Sequence, residues 1–470
     1  MLEDLSGGTC EAYMTVAQLM AVCEHRGFRP PKRDKASLAA FVAPRLLSSA
    51  GVERAMAKLK VPWLSTMHAL ALAPDDVGVS MRVVRRVAQL EGREYRDAFR
   101  ALGDELLARG VVLVRDEDEP GAESRFASLY LILPEAHRRF LPPFPVPSAP
   151  LPAPPPSGAA SKRMEYCRRA LRAAVDRHRG GGGSAGTASG LLARCAARVT
   201  IEGERLKVGG SEISAVAALV DSNRAQWMRD ETDANTSRYF YLSAPPWTWR
   251  EAAAYVWHHL PSGHGASCKA LAESLGLLAV EVDVAKLEAF ASEGEEAGIL
   301  MSAEVAGERL YAAAPEGDVG DETLVSRPCA GGIAVDLSCT GMAPLLELVA
   351  LCRVRAEKQG QTLVLVPDLV RIGRRWGEES VQLMLGAVSR NSPAFGAAVV
   401  KVRQSYGKLL VHAGLVVMRV ADIGLRALLQ HQLEPHIREL GDDYLAVPRG
   451  FLRDVEVIAR NAGFVPRRLP

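Results

Sequence analysis

Apolar residues recur at helical spacing near the start of the chain. Thr15 and Gln18 have the spacing of a capping box, and Val16, Leu19, Met20 and Cys23 then share one helical face until Gly27 stops the run. A basic turn over 29–35 leads into a second stripe, Leu38, Phe41, Val42 and Leu46, so this stretch predicts a helical hairpin. Tyr95, Phe99, Leu102 and Leu106 predict another helix, ended by Gly110. The apolar runs 111–114 and 128–133, separated by Asp116, Glu117, Asp118, Glu119 and Gly121, predict a two-stranded ribbon.

The same plan returns later. Thr248 and Glu251 form a second capping box opening a helix towards Leu260; a helix follows over 269–275, and Val284, Leu287 and Phe290 line a third. Strands at 299–301 and 309–311, joined through Gly307, close that unit. Helices followed by a ribbon predict a winged helix in both places. From Gly331 onwards, apolar runs at 333–337, 362–366, 409–411, 415–420 and 444–447 alternate with helical stripes, and a last helix runs from Phe451 to Gly463. That alternation predicts an α+β or α/β unit around a buried sheet.

The segments between these units are distinct in composition. Proline is so frequent over 141–161 that the stretch predicts an extended, semi-rigid linker. The glycine run 180–186 predicts a mobile arm. At about 100–200 residues per domain, 470 residues suggest three domains or so. The expected fold is therefore mixed α+β and multidomain, with winged-helix modules and a C-terminal α/β domain. Helical hairpin and first module occupy 1–140, the linker 141–161, and a basic helix, Gly-rich loop and small α/β region 162–246. The second module covers 247–315 and the C-terminal domain 330–470.

Composition narrows the function classes. Hydrophobic residues make up 48% and charged residues 24%, values of a folded chain. Lys plus Arg number 57 against 55 Asp plus Glu, so nucleic-acid contact requires a local basic patch. No apolar stretch approaches the roughly 20 residues that span a bilayer, and the first residues lack the pattern of a signal peptide. A cytoplasmic location with no membrane partner is expected. Eight scattered cysteines show no C-x-x-C spacing and read as reduced thiols.

The strongest electrostatic footprint is Lys162, Arg163, Arg168, Arg169, Arg172, Arg177 and Arg179, opposed only by Glu165 and Asp176. A helix of this composition can track phosphate, and it is equally compatible with an ordinary solvated face. A secondary basic set comprises Lys32, Arg33 and Lys35 in the hairpin turn and Arg82, Arg85 and Arg86 in the first module. The turn after that module's helices is acidic, and the second module's third helix carries Asp283, Glu288, Glu293, Glu295 and Glu296. Such a helix repels phosphate and points to a structural or protein-docking role.

Catalytic signatures are lacking. Gly407 and Lys408 are followed by Leu409, and Val402 stands where a phosphate-binding loop needs glycine. Asp230 to Asp233 has the composition of an acidic helicase box but follows polar residues, not a buried strand. Asp336 and Asp368 follow strand-like runs without the carboxylate and lysine partners of a nuclease, and adjacent Glu357 and Lys358 face apart. His258, His259, His264 and Cys268 are four potential zinc ligands whose spacing fits no compact zinc pattern. No metal or other cofactor is expected.

Two resemblances follow from these residues. The hairpin, with Leu19, Gly27, Lys35 and Leu38 in place, resembles the SAP-type DNA-binding motif. The run 362–369, the stretch 389–395, the strand and helix from Val416 through Asp422 to Leu425, Leu428 and Leu429, and the end from Leu445 to Pro466 resemble the domain of XPB-type DNA helicases that lies beside the motor. That resemblance implies a helicase-associated fold in proteins that also carry winged-helix segments, and engagement with DNA. The expected function is a non-catalytic DNA-binding and protein-docking accessory factor of DNA repair or processing. Its partners would be DNA, bound without sequence specificity, and a separate helicase or nuclease. The alternatives are a winged-helix transcription regulator and a metal-dependent nuclease with an unrecognised site.

Overall fold

The computed structural model describes residues 2–73, 78–116, 125–152, 158–178, 190–213, 216–229, 245–315, 323–357, 361–406, 414–441 and 443–464. Within these, buried side chains gather into three cores, and every described strand pairing is antiparallel.

The chain opens with α1 (Leu2–Gly8), which passes through a wider turn, Thr9–Tyr13, into α2 (Val16–Arg26). Thr15 and Gln18 close the capping box on each other's backbone N–H, and Gly27 ends α2 at φ 75°, a left-handed conformation that glycine adopts without strain. Asp34 caps α3 (Lys35–Leu46), and α4 (Val52–Met56) follows. Arg26, only 3% exposed, ties these pieces together. Its Nε donates to the Ala50 carbonyl and its Nη1 to the Gly110 carbonyl, both at 2.6 Å, and its Nη2 to the Ser48 carbonyl.

The first module comprises α5 (Val61–Leu72), β1 (Val79–Ser80), α6 (Met81–Val87), α7 (Tyr95–Leu102) with its continuation Gly103–Leu107, β2 (Leu113–Asp116) and β3 (Leu129–Ile132). Its sheet has the order β1-β3-β2, so the short strand between the helices joins the ribbon. Residues 117–121 of the expected acidic turn lie outside the described residues. Then come α8 (Glu135–Arg138) and β4 (Ala149–Pro150).

The stretch read as a linker is extended but not free. Phe144 and Val146 are buried, the Phe144 N–H donates to the His259 carbonyl, and β4 adds an edge strand to the second module. Proline fits there because an edge strand leaves one side of its backbone unpaired.

Next come α9 (Gly158–His178), α10 (Gly190–Arg198), β5 (Val199–Glu202), β6 (Arg205–Val208), β7 (Ser211–Glu212) and α11 (Val216–Met228). The second module comprises α12 (Trp249–His258), β8 (His264–Ser267), α13 (Cys268–Leu275), α14 (Val284–Glu296), β9 (Leu300–Val305) and β10 (Glu308–Ala313). Its sheet order is β4-β8-β10-β9. Both modules share the first core, where His68 of α5 bonds Tyr255 of α12 at 2.9 Å. Trp227 of α11 is fully buried there, stacked on Phe290 with ring centroids 4.2 Å apart and donating to the Phe290 carbonyl.

Of the two expectations for the C-terminal region, the antiparallel strands fit α+β and not α/β. The region forms two separate antiparallel sheets rather than one buried sheet. The first, β11-β12-β14-β13, uses β11 (Ser326–Cys329), β12 (Gly332–Asp336), β13 (Cys352–Ala356) and β14 (Thr362–Pro367). α15 (Met342–Leu351), α16 (Leu369–Arg375), α17 (Glu379–Ser389) and α18 (Pro393–Ser405) accompany it in the second core. The other sheet, β15-β17-β16, holds β15 (Leu415–Arg419), β16 (Arg438–Gly441) and β17 (Tyr444–Pro448), which share the third core with α19 (Ile423–Leu433) and α20 (Leu452–Asn461). The physical reason for the difference is strand direction: β13, which the apolar pattern did not mark, runs back beside β14, so the return is a hairpin rather than a parallel crossover. The 409–411 run lies outside the described residues.

Candidate nucleic-acid interface

α9 has apolar side chains on two faces. Met164, Cys167, Leu171, Ala174 and Val175 enter the second core, and Tyr166 and Ala170 the first. Its basic side chains are consequently aimed at neighbouring elements. Lys162 lies 3.4 Å from Glu295 and Arg169 2.9 Å from Glu296. Arg163 donates to the Gly298 and Pro315 carbonyls at 3.3 and 3.2 Å, and Arg168 to the Thr340 carbonyl at 3.0 Å and to Glu165. Arg177 donates to the Ala196 carbonyl. Arg172 faces Asp336, whose carboxyl is held below its ordinary range first by the Ser338 hydroxyl and N–H and then by this guanidinium. Arg179 lies outside the described residues.

The acidic end of α14 is thus the partner of the basic helix. Glu295 also takes Arg309 at 2.6 Å, and Glu293 stands 3.8 Å from both Arg194 and Arg250. Exposed pairs of this kind contribute about 0.2–1 kcal/mol each. Their larger effect is on charge, because two runs that look like separate surfaces in the sequence neutralise one another.

The secondary basic set has a different fate. Lys32, Arg33 and Lys35 are exposed and have no ion-pair partner among the described residues. Arg85 is committed to structure, donating to the Glu91 carbonyl at 2.7 Å and to the Arg93 carbonyl, with its guanidinium 4.1 Å from the Tyr95 ring centre. Arg82 is half-buried and Arg86 exposed.

Around the turn the fold adds cations that a short motif does not include. Residues 24–60 hold nine Lys or Arg against three carboxylates, a net of +6 in a chain of +2. Arg29, Arg54, Lys58 and Lys60 are exposed. α4 brings Arg54 beside the end of α2, where a Cβ on Gly27 would stand 3.1 Å from Arg54 Nη1. Lys58 acts on His25, whose imidazole is driven towards neutrality mainly by burial and then by Arg109 and Lys58. Counting charge over the whole 24–60 window, instead of over the turn alone, is the sequence signal that would have found this surface.

The residues considered for metal or catalytic chemistry have other occupations. His259 stacks on Tyr255 with ring centres 3.9 Å apart, His258 contacts Arg224, and His264 lies in β8 with Nδ1 3.1 Å from the Ser262 carbonyl. Cys268 is buried at the start of α13, and burial pushes its thiol up to about 12. No group of three metal-capable side chains occurs among the described residues. Asp336 accepts from Ser338, Asp368 caps α16, and Glu357 lies 3.4 Å from Arg327. Residues 230–233, Lys358 and 407–409 lie outside the described residues. Among the described residues no helix is long and apolar enough to cross a membrane.

No protein-family model matches the sequence, and no curated protein matches it.

Proposed function

We propose that this protein is a non-catalytic DNA-binding and docking factor of DNA repair or processing that works beside a separate XPB-type helicase or nuclease. The observation that carries the DNA contact is the exposed set Arg29, Lys32, Arg33 and Lys35, none of which makes an ion pair within 4 Å among the described residues, within a segment of net +6. Cations without internal partners are the ones free to displace counterions from phosphate, which gives affinity without sequence preference. The basic helix α9 is read as an internal strut before a primary contact, because its basic side chains among the described residues already face partners.

Both modules are read as winged helices. The support is the repeated order of helix, short strand, two helices and ribbon, with the short strand pairing to a ribbon strand. The resemblance of the C-terminal region to the XPB-associated domain supports the choice of partner. Fluorescence anisotropy with a labelled duplex tests the DNA contact. Joint reversal at Lys32 and Arg33 (Lys32→Glu with Arg33→Glu) should weaken binding by about tenfold or more, whereas reversal at Arg169 should leave it within about twofold. The opposite ranking would return the contact to α9, and no binding by the unaltered chain would overturn the reading.

A further inference from the structure

At the other end of α2 from the basic turn lies a cleft of about 260 Å³. Its apolar wall is aromatic. Tyr13 meets Phe99 edge-on with ring centres 5.9 Å apart, and Phe126 lies against Phe99 at 5.5 Å. The rings are held in place: Tyr13 donates its hydroxyl proton to Asp116 at 2.5 Å, and Phe99 is buried in the first core. Gln18, which closes the α2 capping box with its side-chain oxygen, borders the cleft and donates its amide N–H to Asp104.

The rim is cationic. Arg96 and Arg100 project from α7 into the lining, and both are exposed. Arg96 has no ion-pair partner among the described residues, and Arg100 has only Asp97 at 3.7 Å, with both side chains more than half exposed. Aromatic rings below two accessible guanidinia form a place for a flat ring attached to an anion. The volume falls just under the range of about 300–1,000 Å³ that holds drug-sized ligands, which suits one heteroaromatic ring system and excludes a base pair.

We propose that this cleft receives one unstacked nucleobase of a single strand, with Arg96 and Arg100 on its flanking phosphates. The inference rests on the DNA-binding reading above and adds a second, strand-selective contact to it. α2 spans about 16 Å between cleft and basic turn, so one strand can engage both. The base enters against the aromatic wall, which accepts any base because each has a π-face. Duplex bases remain paired and reach only the basic turn.

The test compares two single strands of equal length on the full chain by anisotropy, oligo-dT and a chain of abasic deoxyribose phosphates with the same charge. Expected is a preference of about tenfold for oligo-dT, reduced to within about twofold by Phe126→Leu, with duplex affinity unchanged within about twofold. Arg96 is exposed, so Arg96→Ala serves as the second variant if Phe126→Leu lowers stability: it should weaken both single strands and flatten their salt slope by about 0.7 while leaving duplex affinity unchanged. Equal binding of both strands by the unaltered protein overturns the cleft assignment, as does a preference that survives Phe126→Leu or a single-strand salt slope that Arg96→Ala leaves unaltered. The DNA reading fails separately, by absence of duplex binding or its insensitivity to Lys32→Glu with Arg33→Glu.

Discussion

Replacing Arg26 by methionine removes the guanidinium that joins the hairpin to the first module while keeping an unbranched chain. Three hydrogen bonds to the Ser48, Ala50 and Gly110 carbonyls are lost. Bonds to a charged group contribute about 1.5–3 kcal/mol each, a gross loss of roughly 4.5–9 kcal/mol. Methionine also escapes the burial that pulls Arg26 down from 12.5 to about 10. That difference offsets roughly 3 kcal/mol, at about 1.4 kcal/mol per pH unit. The net destabilisation is about 1–6 kcal/mol, centred near 3. Because the three cores need not unfold together, the local assay is amide hydrogen exchange. Amides of α2 and α3 should exchange about a hundredfold faster in Arg26→Met, while those of β17 in the third core stay unchanged. If α2 and α3 speed up by less than about fivefold, the three bonds do not hold the hairpin and the reasoning is wrong.

Other outcomes follow from the same geometry. Removing Lys32, Arg33 and Lys35 together as alanines should flatten the slope of log affinity against log salt for duplex DNA by about 2.7, read by filter binding; an unaltered slope would place the phosphate elsewhere. Trp227→Ala empties a fully buried indole site and should cost about 3–5 kcal/mol, with early proteolysis within 216–228; wild-type resistance there would show that α11 is held without it. His68 is pulled down from 6.5 to about 3, chiefly by burial and next by His259. The unfolded chain therefore binds the proton first, so this contribution is complete above pH 6.5 and is lost as pH falls towards 3. His68→Asn should lower the acid slope of stability in that window by about 1.4 kcal/mol per pH unit, measured by urea unfolding across the range. An identical slope would refute the assignment.

Local signals were legible in the sequence because they act over a few residues. Thr15 with Gln18 and Thr248 with Glu251 form the capping boxes their spacing predicts, and Gly27 takes the left-handed conformation at the end of its helix. Contacts between distant residues were not. Nothing near Lys162 indicates Glu295, which lies 133 residues away, so the basic and acidic runs read as independent surfaces until the fold joined them. β4 was hidden for a related reason: its proline-rich sequence has no strand pattern, and its pairing partner His264 lies more than a hundred residues downstream. The candidate interface was half legible. Lys32, Arg33 and Lys35 are adjacent in sequence, whereas Arg54 reaches the same end of α2 only because α4 packs there.

α9 has a mechanical consequence. A helix seated in two cores at once cannot rotate about its axis without unseating Leu171 on one side or Ala170 on the other, since adjacent residues are about 100° apart around the axis. It therefore acts as a rigid axle. Cutting the chain just before α9 would leave that helix with its packing partners but part α5 from α12, exposing first-core side chains on both fragments, so neither half would be expected to remain soluble alone.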